Sequence, residues 1–411
     1  MIRSTLDRTL INRVSRLAGF CIFLIMPGLV LADQIIELEQ KQVDSSGISA
    51  FYFQGEMRNA QTYEIVATEG VVWVGTNKGL VRYDLTSKQW LLVSPPAGVE
   101  QGVAYQLAAN EAGQLAVEYL VWTGADRLNS AGIFLFDDVK KYWVKIQDRG
   151  SSDIQWRGRE LWVLSRSGIS IYDIDAGKAW DIQKDLPSLY RRSSLGKLIT
   201  DDYGVWIAVT GRPIALTGRF EKGGVIHLQL PEIRWKSYDY ETGLAQDAVS
   251  DIAGDYQQIV AVHGQADSGI SLLDVRQDVW RTLMTSANDI PLGGRLVVQD
   301  EKYIWTAYSG GLTRLQRGNN QATQYTSEDG LPGNVISGMA SGLSGLWVAA
   351  FDYSGDEQGI SYSGVAKLVM TDASPWEDPV LQKYWPVIML VLILLSAMLL
   401  LRKRKHDRRT R

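Results

Sequence analysis

Cysteine is almost missing from this chain: 411 residues contain one, Cys21. No disulfide framework can hold the fold, and no thiolate cluster can bind a metal. Histidine is nearly as scarce, and only His227 and His263 fall in the central body, too few for a histidine-rich metal centre. Nucleophile elbows, phosphate loops and dinucleotide fingerprints are lacking as well. These gaps argue against a cofactor, against a metal and against an enzyme. Acids such as Asp201, Asp202, Asp255 and Asp300 are present, but they occur in every turn and read as turn formers before a glycosidase pair. Charge is ordinary at 21% and hydrophobic residues reach 45%, which excludes a disordered chain.

Long apolar runs occur at the two ends. Arg3, Arg8, Arg13 and Arg16 precede the apolar stretch from Leu17 to Leu31, and Val30-Leu31-Ala32 offers small residues for a cut before Asp33. Residues 1–32 are therefore predicted to be a signal peptide; an uncleaved anchor is the alternative. Cys21 is not placed for lipidation, because Phe20 separates it from Leu17-Ala18-Gly19. Tyr384 to Leu401 is an unbroken apolar run of 18 residues, about 27 Å as a helix. Tyr384 and Trp385 suit one membrane interface, and Arg402-Lys403-Arg404-Lys405 marks the cytoplasmic side. The predicted plan is a body outside a bacterial inner membrane, a single-pass helix at 384–401 and a basic tail at 402–411. The leader carries +3 and the tail +6, so a formal total of −4 leaves residues 33–383 at about −13. An acidic body argues against nucleic acid.

What fills the middle is a repeat. Val72-Trp73-Val74-Gly75-Thr76-Asn77-Lys78-Gly79-Leu80-Val81-Arg82-Tyr83-Asp84 is its clearest copy. Further copies centre on Trp122, Trp162, Trp206, Val260, Trp305 and Trp347, spaced about 40 to 54 residues apart, the period of four-stranded propeller blades. Each copy runs from an apolar segment through a turn to the Trp strand, then to a strand ending near Tyr-Asp. A last strand holds Trp90, Trp143, Trp180, Trp235, Trp280 or Tyr325. The indoles are assigned to packing between blades. The seventh copy lacks a clear fourth strand, since Pro375 interrupts Ala373-Ser374-Pro375-Trp376. Ile48-Ser49-Ala50-Phe51-Tyr52-Phe53 is predicted to supply that strand and close the ring. The predicted fold is all-β, a seven-bladed propeller over 48–372, with 33–47 as lead-in and 373–383 as stalk.

These residues resemble the two-component-regulator propeller repeats of bacterial sensors. The likeness rests on Asp329-Gly330-Leu331-Pro332-Gly333-Asn334-Val335 leading to Gly345-Leu346-Trp347-Val348, on a weaker match from Gly243-Leu244 to Ile259-Val260, and on residues 73–84. It implies a periplasmic ligand-binding propeller acting on a cytoplasmic kinase or cyclase. Ten residues follow Leu401, so the output domain is expected on another polypeptide, such as a separate histidine kinase.

Loops joining second to third strands share one face with the connections between blades, the usual ligand entrance of a propeller. Short turns there hold Asn77, Lys78, Arg166 and Tyr308; longer ones hold Asp126, Arg127, Arg212, Arg219, His263, Asp267, Asp352, Tyr353 and Asp356. Asp352-Tyr353-Ser354-Gly355-Asp356-Glu357 has acids at alternating positions, but lacks the glycine and final glutamate of a calcium loop. The expected role is binding of a glycan, a peptide or a periplasmic or inner-membrane protein on this face, with action through that partner. A non-sensory scaffold for envelope or secretion assembly is the alternative, and a propeller hydrolase comes third.

Overall fold

The computed structural model describes residues 33–43, 47–124, 127–182, 187, 190, 194–211, 223–255, 257–264, 269–283, 294–308, 310–318, 321–342, 345–353 and 360–369. The predicted signal peptide, stalk, membrane helix and basic tail lie outside them. Among the described residues no helix is long and apolar enough to cross a membrane. The chain falls into two units, Met1–Leu368 and Val369–Arg411, and the first is a propeller of seven antiparallel sheets.

Three strands precede the repeats: β1 (Gln34–Ile35), β2 (Leu38–Val43) and β3 (Ile48–Phe53). Blade 1 is β4 (Thr62–Ala67), β5 (Val71–Thr76), β6 (Gly79–Asp84) and β7 (Gln89–Val93). Blade 2 is β8 (Val103–Ala109), β9 (Gln114–Trp122), β10 (Leu128–Asp137) and β11 (Tyr142–Gln147). Blade 3 holds β12 (Asp153–Arg157), β13 (Glu160–Ser165), β14 (Gly168–Asp173) and β15 (Lys178–Ile182). Blade 4 holds β16 (Ser194–Thr200), β17 (Gly204–Gly211), β18 (Gly224–Gln229) and β19 (Arg234–Tyr238). Blade 5 follows with β20 (Val249–Gly254), β21 (Gln258–His263), β22 (Ile270–Asp274) and β23 (Val279–Leu283). Blade 6 has β24 (Leu296–Gln299), β25 (Tyr303–Tyr308), β26 (Gly311–Gln316) and β27 (Ala322–Tyr325), and blade 7 has β28 (Val335–Gly342), β29 (Gly345–Tyr353) and β30 (Ile360–Leu368).

Blade 7 takes its fourth strand from the other end of the unit: β3 pairs with β30, Ile48 opposite Leu368 and Ala50 opposite Ala366. The residues before β3 are more than a lead-in, because β2 extends blade 7 beyond β3 and β1 extends blade 1 beyond β7. The first strands touch one another around the circle, β4 to β8 and onward to β28, which returns to β4. They form the inner ring.

The repeated indole is buried against the next blade. Trp73 packs on Leu107 and Leu115 of blade 2, Trp162 on Leu198 and Val205 of blade 4, Trp206 on Ile252 and Ile259 of blade 5, and Trp347 on Ile65 and Val74 of blade 1. Val260 does the same against Val297 and Ile304. Each such indole removes a large apolar area from water at a sheet-to-sheet contact. The glycine two residues after Trp73 has its own reason. Gly75 lies where blades 1 and 2 come together, and a Cβ there would stand 2.5 Å from the Ala104 carbonyl oxygen.

Blade 2 departs from the sequence reading. In blade 1 Trp73 pairs with Arg82, two residues before Asp84; the matching residue in blade 2 is Ala116, opposite Leu135 and two residues before Asp137. Trp122 is instead the last residue of the long strand β9 and is 57% exposed. Ala116 is small because the room is taken from the other side: Trp156 of blade 3 enters that interface and donates its indole N–H to the Ala108 carbonyl at 2.9 Å.

Candidate ligand-binding face

Antiparallel order decides which residues share a face. The start of each inner strand, the end of the second and the start of the third all meet at one end of a blade. That end carries Tyr63 on β4, Tyr105 on β8, Trp122 on β9, Tyr308 on β25, Tyr353 on β29 and Tyr362 on β30, with Tyr240 in the connection from blade 4 to blade 5. Six aromatics among the described residues are strongly exposed, and five of them (Tyr105, Trp122, Tyr240, Tyr353 and Tyr362) stand here; the sixth, Tyr203, lies in a turn on the opposite face. Tyr63 and Tyr105 meet edge to face at 5.4 Å between ring centres. Burial lifts the Tyr63 hydroxyl above its ordinary value, and Tyr105 and Tyr353 add to the effect.

Beneath these tyrosines the inner ring carries an ion cluster. Lys197 on β16 places Nζ 2.6 Å from Glu64 Oε1 on β4 and 3.3 Å from Asp153 Oδ1 on β12. Blade 4 thereby reaches blade 1 across the centre of the ring. The carboxylates also tie neighbouring blades together. Glu64 accepts from the Leu107 backbone N–H at 2.8 Å, Asp153 from Leu198 at 2.7 Å and Asp251 from Val297 at 2.8 Å, each in the inner strand of the following blade. Burial pushes Asp251 up to about 7, against the lowering effect of Lys197 and of the N–H groups of Val297 and Ile252. Burial alone would push Lys197 down, but Asp153, Glu64 and Asp251 outweigh it and hold the ammonium above its ordinary value. Among the described residues no group of three or more metal-ligating side chains converges.

A cavity of about 420 Å³ opens between blades 2 and 3 on the same face. Its walls include Arg149, Ser151, Ser165, Arg166, Ser170 and Asp181. One edge is braced by Glu118: Ser151 donates through its hydroxyl at 2.6 Å and its backbone N–H at 3.2 Å to Glu118 Oε2. Burial lifts Glu118 above the usual carboxylate range, partly offset by the hydroxyls of Ser151 and Ser130. Ser170 donates to Asp181 Oδ1 at 2.6 Å.

The sequence-predicted residues divide into four groups. Arg166 and Tyr353 are found in open positions, Arg166 on the cavity wall and Tyr353 against Phe351 at 5.3 Å. Arg127 is exposed beside the tip of the β9–β10 hairpin. Asn77 and Lys78 are structural: Asn77 Oδ1 accepts from the Gln61 N–H at 2.9 Å, and Lys78 Nζ donates to the carbonyls of Glu56 at 2.6 Å and Arg58 at 2.8 Å. Asp352 likewise accepts from the Asn334 N–H at 2.9 Å, and the Tyr308 hydroxyl accepts from Gln324 Nε2. His263 is a correction. It is fully buried in blade 5, its Nε2 2.8 Å from the Ser271 hydroxyl, because both faces of β21 are covered by neighbouring blades. Asp126, Arg212, Arg219, Asp267 and Asp356 lie outside the described residues.

Sequence reasoning did not single out Tyr63, Tyr105, Tyr362, Arg149 or the cavity serines, and it assigned Trp122 to packing. A usable signal did exist for Trp122. The spacing from Trp122 to Asp137 exceeds the spacing from Trp73 to Asp84, which places Trp122 beyond the repeat position. The acids of the opposite face do act as turn formers: Asp201 accepts from Tyr203 and Gly204, Asp255 from Gln257 and Gln258, and Asp300 from Lys302 and Tyr303.

No family model and no curated protein matches the sequence. Solved propellers match the fold. The WD40 repeats of RRP9 align at 13% identity and TM-score 0.54 over 81% of this chain and 100% of that one. PorZ of Porphyromonas gingivalis, an essential bacterial surface component of the type-IX secretion system, aligns at 15% identity and TM-score 0.56. That match covers 82% of this chain and 53% of PorZ. The extracellular domain of the putative one-component system BT4673 from B. thetaiotaomicron aligns at 13% identity over 81% of this chain and 51% of that one, at a TM-score of 0.42, too distant to carry an argument. At these identities RRP9 and PorZ support one conclusion: the chain is built as a propeller.

Proposed function

We propose that this chain is a non-catalytic binding propeller, held at a bacterial inner membrane with its ring on the periplasmic side. It engages a ligand or protein on the aromatic face and acts through a separate partner, such as a histidine kinase on another polypeptide. The observation that carries this reading is the segregation of exposed aromatics, five on one face and one on the other among the described residues. Exposed Trp and Tyr side chains anchor partners because they bury large area while keeping a polar handle. The Lys197 cluster bridges the inner ring, so contact is expected on the face rather than through the centre. Photo-crosslinking amino acids at Trp122, Tyr105 and Tyr353, with Tyr203 as the opposite-face control, test the reading in intact membranes. Adducts confined to the first three positions support it; equal labelling at Tyr203, or none anywhere, overturns it.

A scaffold for envelope or secretion assembly is the second reading. It is favoured by the spread of the exposed aromatics over blades 2 and 7 and the connection into blade 5, a wide footprint rather than a single pocket. One partner captured from both Trp122 and Tyr240 supports a scaffold, whereas capture confined to neighbouring positions supports a sensor.

A further inference from the structure

The cavity between blades 2 and 3 lies on the side of blade 2 toward which strand alternation directs an exposed indole. Along β9, Ala116 packs on Ile154 and Trp156 of blade 3 and Glu118 binds Ser151, so even-numbered residues face blade 3. Strand alternation puts Leu120 and Trp122 on that same side. Gly150 lies against Ser130, where a Cβ would be 3.0 Å from the Ser130 Cβ, and Ser130 pairs with Leu120. Trp122 is two residues farther along, about 7 Å above the level of the cavity wall. The result is a polar recess with an exposed aromatic plane beside it.

The recess itself is rich in hydroxyls and positive at its edge. Ser165 donates to the Gly168 carbonyl at 3.0 Å, Ser170 to Asp181 and Ser151 to Glu118. A hydroxyl that has given its proton to a protein acceptor keeps lone pairs for an incoming O–H. Arg149 and Arg166 are both exposed, and neither forms an ion pair with a described residue. A guanidinium in that state is a ready partner for a carboxylate or a sulfate.

From this arrangement we infer that the cavity is a subsite for an acidic sugar, a pyranose bearing a carboxylate or a sulfate. The Trp122 indole covers the apolar face of the ring, serine oxygens accept from its hydroxyls, and Arg149 with Arg166 takes the anionic group. A neutral sugar leaves the two arginines unsatisfied, and a small inorganic anion leaves the indole uncovered. The inference rests on the proposed binding role of this face and gives that role a ligand class.

Isothermal titration of the full-length protein with an oligogalacturonate, a heparin-derived oligosaccharide and a neutral cello-oligosaccharide tests it. Tight binding of the first assigns a carboxylate ligand, and tight binding of the second without the first assigns a sulfated one, since heparin carries carboxylates too; the neutral sugar is about tenfold weaker or more in either case. Trp122→Ala and the pair Arg149→Gln with Arg166→Gln are each expected to weaken the acidic sugar about tenfold, while Tyr203→Ala leaves it unchanged. All are exposed positions, and the near-ultraviolet spectrum checks that each variant stays folded. Binding of neither acidic sugar, equal binding of the neutral one, or full affinity in the Trp122 variant overturns the inference. Crosslinking from Trp122 to a protein partner would then still stand, so failure here is separate from failure of the binding role.

Discussion

Among single residues, Asp251 has the clearest thermodynamic signature. Its buried carboxyl titrates near 7 in the folded ring, well above the ordinary aspartate value, so folding takes up a proton. A raised acid contributes stability that is complete below the unfolded value and is lost as pH climbs through the folded one. The Asp251 contribution therefore falls between about pH 4 and pH 7, by up to about 4 kcal/mol across the whole interval. Urea midpoints of the native protein and of Asp251→Asn, compared at pH 5 and pH 8, check this. The native protein should gain on acidification relative to the variant, and parallel midpoints would remove the claim. The charge of Lys197, whose ammonium pairs with Glu64 and Asp153, acts in the opposite direction on Asp251 and moderates the effect.

Strands and blades show how much of the architecture could be read from the chain. An indole at a sheet-to-sheet contact must be large, apolar and regularly spaced, so Trp73, Trp162, Trp206, Trp305 and Trp347 announced the blades without help from structure. In blade 2 the strand pattern is legible but the packing residue is misassigned, because the contact is built in reverse, with Ala116 on one side and Trp156 on the other. Total volume is conserved across such an interface, and a one-chain reading cannot tell which blade supplies it. The site was less legible still. Tyr105 is exposed because β8 bulges between Ala104 and Gln106, a backbone irregularity with no residue signature. His263 looks like a loop residue at the end of β21, yet its strand is sandwiched on both sides. The two kinds of tryptophan give opposite expectations. Trp206→Ala empties a contact between blades 4 and 5 and should cost about 3–5 kcal/mol, whereas Trp122→Ala should stay within about 0.5 kcal/mol of the native protein. Equal losses in chemical denaturation would show that Trp122 belongs to the core after all.

At the scale of the whole molecule, the ring is held shut by β3 between β2 and β30. A proline in a strand paired on both edges breaks the ladder. Ala50→Pro, opposite both Lys41 and Ala366, is expected to cost more than about 1 kcal/mol and to expose blades 7 and 1 to protease first. Proteolysis that starts instead in blades 3 to 5 would mean that the ring is not latched there.

The same latch sets a timetable for birth. Its two halves, Ile48–Phe53 and Ile360–Leu368, are separated by about 300 residues, which a ribosome adds at about 5–20 per second, or in roughly 15 to 60 seconds. Throughout that wait β3 has β2 along one edge and the Tyr83 and Trp90 rings of blade 1 against Phe51, but its edge toward β30 stays bare. Until the last blade has emerged, that bare edge is open to pairing with a wrong strand, and an escort would be of most use there.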